Sequence, residues 1–291
     1  MSKPKIIALV GVPASGKTTY RKAHKDVWYT SRDEIRENLF GWPYKMTKDR
    51  ERQVTEHSYS QIRAAIELGR DIIVDETFCK LGTRNKLIEF AKELNVEVEW
   101  VIMQDSFDVD LCHKRNTARE RSVPFNVIEN MFLGFIDFVK EREEGKWLPK
   151  LGSGHMPCVI VDIDGTIADN KGIRSPYEFD KVLLDKPKQF VIDLVNNLSQ
   201  DYYVIVLSGR DGSCREDTLK WLDKHSVCFD KLYMREAGDA RKDFRIKMEL
   251  VSEFIEKDFD VQLVIDDRNC LGRYWEALNL NFLKVGNGNY F

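Results

Sequence analysis

Two stretches of this chain, far apart in sequence, carry residues spaced for phosphoryl chemistry. In the first, Gly11 is followed by four residues and then by Gly16, Lys17 and Thr18. Glycines at these points let successive backbone N–H groups turn inward around phosphate oxygens. A lysine here reaches the β- and γ-phosphates, and a threonine hydroxyl can ligate magnesium. Gly11, Ser15, Gly16, Lys17, Thr18 and Thr19 are therefore the expected contacts of a nucleoside triphosphate and its metal. In the second stretch, Asp162 and Asp164 follow the apolar run VIV and precede Gly165-Thr166. Alternate residues of a strand point the same way, so both carboxylates face one site. Carboxylates so close repel unless a cation or a shared proton lies between them.

The elements that must position these groups can be read outward from them. A buried strand, Ile6 to Val10, leads into the glycine turn, and the helical run TTYRKAH follows it. Trp28 to Thr30 form a short second strand. Ser31 and Glu34 make a capping box, so a helix starts near Arg32. Asp33 then sits in the first turn and Arg36 one turn on, facing the same cleft. In one reading Asp33 takes a proton from an attacking hydroxyl and Arg36 holds a phosphate of the acceptor. In the other, Asp33 and Glu34 complement the helix dipole and Arg36 is solvated; the pattern leaves both open. A long polar helix is expected from Tyr44 to Gly69, then a buried strand, Asp71 to Thr77. It carries Asp75 where an acid can lie near magnesium or water, or can simply cap the next segment. A helix, Thr83 to Leu94, and a strand, Val96 to Met103, complete a βαβα order, hence a doubly wound parallel sheet. The following segment, HKRNTARERSVP, places Arg115 and Arg119 at i, i+4. It resembles the lid of small P-loop kinases, with Arg119 favoured over Arg115 as the arginine that offsets charge on the transferring phosphate. A solvated helix surface is the alternative.

Gly145 to Pro157, rich in glycine and proline, reads as the seam. It divides the chain into a domain of residues 1–148, a linker 149–157 and a second domain 158–291. The DIDGT stretch resembles the signature of haloacid-dehalogenase-type phosphotransferases. By that resemblance Asp162 is the nucleophile that forms an aspartyl-phosphate, and Asp164 protonates the leaving oxygen and then activates water. The supporting pieces follow in the order that superfamily implies. A strand ends in Ser208 and Arg210, GDARKD supplies a phosphate-neutralising Lys242, and VQLVIDDRN ends in Asp266 and Asp267. The acids Asp162, Asp164, Asp266 and Asp267 would hold Mg2+.

The rest of the composition sets bounds. With 291 residues, 43% hydrophobic and 32% charged, two soluble globular domains are expected. No apolar run is long enough to span a membrane or serve as a signal peptide. The six cysteines form no CxxC pair and read as reduced cytoplasmic thiols. Net charge is −3, from +2 over residues 1–150 and −5 over 151–291, so neither half is a basic nucleic-acid module.

Taken together, GVPASGKTT, SRDEIR, DETF, KRNTAR, VDIDGTIAD, VLSGR, GDARKD and VIDDR resemble, over nearly the whole length, the bacteriophage polynucleotide kinase–phosphatase family. The resemblance implies two α/β domains, a P-loop kinase fold and then a haloacid-dehalogenase-like fold. It also implies an ATP-dependent kinase of 5′-hydroxyl RNA or DNA ends joined to a 3′-phosphatase, with 2′,3′-cyclic phosphate left open as a substrate. By the same resemblance Mg2+ would serve both domains, a nucleic-acid ligase would act downstream, a homo-oligomer is suggested, and the location would be cytoplasmic, in the host cytoplasm if phage-encoded. Arg36 would clamp the acceptor, Arg174 in KGIRSPYEFD would bind the nucleic-acid end, and Ser208, Arg210 and Lys242 would bind phosphate. The alternative is a small-molecule kinase fused to a small-molecule phosphatase, which a 5′-hydroxyl oligonucleotide tested beside a metabolite panel separates.

Overall fold

The structure, a computed structural model, describes residues 3–152 and 154–286. Ser153 of the expected linker, and residues 1–2 and 287–291 of the expected domains, lie outside the described residues. The chain divides into two units, Met1–Val139 and Lys140–Phe291.

The first unit runs β1 (Lys5–Val10), α1 (Lys17–Ala23), β2 (Trp28–Ser31), α2 (Arg32–Phe40), α3 (Lys48–Glu67), β3 (Ile72–Asp75), α4 (Leu81–Glu93), β4 (Glu97–Ile102), α5 (Val109–Thr117) and α6 (Phe125–Val139). Its strands are all parallel, in the order β2-β3-β1-β4. Ile6 to Val10 are buried throughout, as a central parallel strand with both faces covered requires. The chain crosses over β1 between β3 and β4, so the carboxyl end of β1 is the switch point where such sheets bind ligands. Gly11 stands there.

The second unit runs β5 (Met156–Val161), β6 (Ala168–Asp169), β7 (Lys186–Pro187), α7 (Gln189–Leu198), β8 (Tyr203–Ser208), α8 (Arg215–Lys224), β9 (Lys231–Met234), α9 (Asp243–Phe254), β10 (Phe259–Asp266), α10 (Asn269–Ala277) and β11 (Phe282–Lys284). Its main sheet is parallel, in the order β11-β10-β5-β8-β9, and β6 and β7 form a small antiparallel ribbon. β5 lies between β8 and β10, which makes its carboxyl end, at Asp162, the equivalent switch point. Both domains thus have the doubly wound parallel architecture expected. Among the described residues no helix is long and apolar enough to cross a membrane.

Several local expectations are corrected. The helix expected from Tyr44 begins at Lys48, where the Thr47 hydroxyl accepts from the Arg50 N–H at 3.3 Å. The Ser31 capping box does not form. Ser31 makes no side-chain cap bond, and Glu34 instead reaches Arg21 at 2.7 Å. The Gly145–Pro157 stretch is less of a linker than its glycines suggest. Trp147 and Leu148 are buried, with the Trp147 ring 5.8 Å from that of Tyr274 and 6.2 Å from that of Phe244. The Arg245 guanidinium lies 4.1 Å over the same indole.

Trp147 therefore packs on α9 and α10, within the second unit. Trp147→Ala should lower the stability of that unit by about 3–5 kcal/mol and leave unfolding of the first unit unmoved. Urea titration with a probe in each unit reads this; a shift in the first transition alone would contradict the packing.

Candidate active sites

In the first unit the backbone leaves β1 through a loop with Ala14 at φ 64 and Gly16 at φ 95. Gly11 is required by contact. A Cβ there would lie 2.5 Å from Ser106 Oγ and 2.8 Å from Met103 Cβ. Lys17 is buried and its ammonium donates to the carbonyls of Gly11 at 2.8 Å and Val12 at 2.7 Å. Burial holds its pKa below the ordinary lysine value. Thr18 Oγ1 donates to Asp75 Oδ2 at 3.3 Å, so the hydroxyl and the strand-end acid expected to serve one metal do meet. Burial raises the pKa of Asp75, an effect that a bound cation would reverse. Ser15 is buried with no bond to its hydroxyl among the described residues, and Thr19 is exposed on α1.

The expected acceptor pair also meets. Arg36 Nη1 lies 2.6 Å from Asp33 Oδ1, and Asp33 is 79% exposed. The other face of Arg36 is engaged by a residue the sequence reading passed over. Its Nε and Nη2 donate to the two carboxylate oxygens of Glu51 at 2.9 and 2.8 Å. Arg32 Nη2 shares Glu51 Oε2 at 2.9 Å. Arg21 is a second omission: buried on α1, it bridges Glu34 at 2.7 Å and Asp75 at 3.5 Å. Arg115 and Arg119 do not share a helix face. α5 ends at Thr117; Arg115 pairs with Asp105 at 2.5 Å, and Arg119 lies exposed beyond the helix.

The second unit gathers its charges into two adjoining groups. Asp162 Oδ1 accepts from Lys247 Nζ at 2.6 Å and Oδ2 from Thr166 Oγ1 at 3.1 Å. Lys247 also donates to Asp266 at 2.9 Å and lies 3.8 Å from Asp243. Burial alone would discharge this lysine, but Asp162, Asp266 and Asp243 more than offset it and raise its pKa. Carboxylate oxygens of Asp162, Asp266 and Asp267 lie within 4.8 Å of one another, all buried. Asp267 Oδ1 has no hydrogen-bond partner among the described residues. An orphaned buried carboxylate oxygen beside two further acids fits a hard divalent cation such as Mg2+. Gly165 makes room for it: at φ +80, a Cβ there would strike Asp267 Oδ2 at 2.1 Å.

Asp164 belongs to the other group, not to the metal ligands among which the sequence placed it. Its Oδ1 accepts from Arg174 Nη2 at 2.7 Å and Arg210 Nη2 at 2.8 Å. Asp185 closes the group, accepting from Arg174 at 2.8 Å and from Arg210 at 2.6 Å. Burial would raise the Asp164 pKa, but Arg210 and Arg174 outweigh it and hold the carboxyl below its usual value. Arg174, expected to face a nucleic-acid end, is buried in this network. Lys242, expected as the phosphate lysine, stands exposed at the N-cap position of α9 and makes no side-chain cap bond. The lysine that reaches Asp162 is Lys247. Asp243 and Lys247 lie at i, i+4 on α9, a helical spacing that could have pointed to it. Ser208 is buried, its hydroxyl accepting from the Arg210 N–H at 3.2 Å. Lys188, also overlooked, donates to the Gly165 carbonyl beside the acids.

Metal binding would give this site a pH signature. Burial, then the Asp266 charge, push the Asp267 carboxyl from 3.8 to about 6. The folded protein therefore holds this proton more tightly than the unfolded chain. In the absence of metal, the group's stabilising contribution is complete below about pH 4 and is lost as pH rises through about 6. Mg2+ needs the ionised acid. Millimolar Mg2+ should raise the Tm of the second unit at pH 7.5, with the rise shrinking below about pH 6 and largely absent in Asp267→Asn. Calorimetry across pH checks it; a pH-independent rise would contradict the assignment.

Comparison with known proteins fits this division. Residues 156–290 match the family model for the polynucleotide kinase PNKP phosphatase domain, and residues 6–140 match the model for an AAA domain. A bifunctional polynucleotide kinase/RNA ligase of Autographa californica nuclear polyhedrosis virus is 28% identical over 295 residues, covering 96% of this chain and 42% of that protein. An L-seryl-tRNA(Sec) kinase of Methanococcus maripaludis is 29% identical over 138 residues, covering 45% of this chain and 52% of that protein. The chain thus spans about half the length of these relatives. A solved chain of a Pnkp1/Rnl/Hen1 RNA repair complex is 28% identical, with 100% of this chain and 98% of that one covered at a TM-score of 0.46. By the family models, residues 6–140 are similar to an AAA domain and residues 156–290 to the phosphatase domain of polynucleotide kinase PNKP.

Proposed function

We propose that the protein heals broken nucleic-acid ends, phosphorylating 5′-hydroxyls with ATP in its first unit and removing 3′-phosphates in its second. The observation that carries this reading is the buried cluster of Asp162, Lys247, Asp266 and Asp267 in a domain of that phosphatase family, with a P-loop on the same chain. In the first unit Lys17 exchanges the carbonyls of Gly11 and Val12 for phosphate oxygens of ATP. Asp33 takes the proton of the attacking hydroxyl, Arg36 holds the acceptor, and Arg119 covers the transferring group. Thr18 and Asp75 would hold Mg2+ there.

In the second unit an Asp162 oxygen attacks phosphorus, and the bond to the sugar 3′-oxygen breaks. Asp164 gives the leaving oxygen its proton, then takes one from the water that hydrolyses the acyl-phosphate. For that, Arg174 and Arg210 must loosen their hold on Asp164, which substrate phosphate can bring about by competing for the guanidiniums. Ser208 and Lys247 steady the phosphoryl oxygens, and Mg2+ on Asp162, Asp266 and Asp267 would neutralise their charge. A nucleic-acid ligase acting downstream in the cytoplasm would seal the ends so prepared.

Labelled ATP offered with a 5′-hydroxyl oligonucleotide and, separately, with a metabolite panel tests the substrate class. Transfer to metabolites alone would overturn the reading. Asp33→Asn should lower kinase kcat roughly 10²–10⁴-fold with little change in the KM for ATP. Lys17→Ala should abolish the kinase and spare the phosphatase, and Asp162→Asn the reverse. Loss of both activities from either change, in a folded protein, would contradict two separate sites.

A further inference from the structure

The first unit carries an exposed aromatic cluster that the chemistry above does not use. Phe40 ends α2, and the loop that follows holds Trp42 and Tyr44 before α3 begins. Trp42 is 47% exposed. Tyr44 meets it edge-on at 5.6 Å and 70°, and Phe40 lies 6.5 Å from Tyr44. Arg121, from the segment after α5, lays its guanidinium 4.6 Å over the Trp42 ring and pairs with Glu37 at 2.7 Å. Arg50 lies 5.0 Å over Phe40. The cluster adjoins the acceptor pair, since Arg36, Asp33 and Arg121 all act electrostatically on the Tyr44 phenol.

A hydrophobic staple of the loop would bury its largest ring, and this indole keeps nearly half its surface open. Flat aromatic faces interleaved with arginines are what single-stranded nucleic acid needs, bases stacking on the rings while guanidiniums meet the phosphates between them. We propose that the Trp42 indole, flanked by Tyr44 and Arg121, is the platform on which a base near the 5′ end of the acceptor strand stacks. The proposal rests on the polynucleotide-kinase reading and adds to it the residue that senses the base.

The test compares steady-state kinase kinetics of the full chain on a 5′-hydroxyl oligonucleotide and on the same strand with its first two nucleotides abasic. The wild-type KM should be roughly tenfold lower for the strand that keeps its bases. Trp42→Ala should remove that difference by raising the KM of the base-containing strand, with kcat and the abasic KM nearly unchanged. Trp42→Phe should keep most of the difference. An equal rise for both strands, or no rise, would overturn the platform, the second outcome leaving the aromatic surface to a protein partner. A wild-type protein that phosphorylated neither strand would instead sink the polynucleotide reading itself.

Discussion

Lys247 stands among Asp162, Asp266 and Asp243 with almost no access to water, and carboxylates so crowded could not all stay ionised without it. Taking one charge out of water costs several kcal/mol, and that cost is offset only where partners are close and well aligned. The rest of the second unit follows from this condition. β5 and β10 must be neighbours for Asp162 and Asp266 to converge, and α9 must cross their ends for Lys247 to reach both. Gly165 must lack a side chain for Asp267 to join them. Even so, one lysine facing three metal-competent acids leaves an excess of negative charge, and Asp267 is the acid with an oxygen left unpartnered among the described residues.

The neighbouring network reaches balance by a different route. Arg174 and Arg210 are each shared between Asp164 and Asp185, two cations against two anions, with planar forks matching carboxylate geometry. The Asp185 backbone is fixed in turn by the buried Trp221, whose indole N–H donates to its carbonyl at 2.8 Å. A charge-deficient site for a cation thus adjoins a neutral, rigid set that holds Asp164 at its edge. The first unit shows a looser version: among the described residues Lys17 is satisfied by carbonyls of its own loop, partners that phosphate oxygens readily displace.

The sequence made legible what is local. The glycine spacing after β1, the two acids after β5 and the alternation of strands with helices each follow from a few contiguous residues. Both parallel sheets could be read from them, while the strand orders, and with them the switch points, are set by pairings between distant strands. What it hid was pairing across distance. Glu51 lies on α3 yet grips Arg36 on α2, and Asp185 has no motif around it but binds two arginines from separate loops. Lys242 looked right because it adjoins a recognisable stretch, whereas helix geometry turns Lys247 inward one turn past Asp243. Trp147 was taken for part of a seam because glycines and prolines surround it, a composition that reports backbone freedom and not where a large ring finds cover.

The Trp147 packing bears on how such a protein could have been assembled. Its indole is covered by Phe244, Tyr274 and Arg245, so a residue inside the glycine-rich stretch is structural property of the following module. A fusion of two modules within those glycines would have stripped the second of part of its own core. A crossover just after α6 would have kept this ring with the aromatic side chains that cover it.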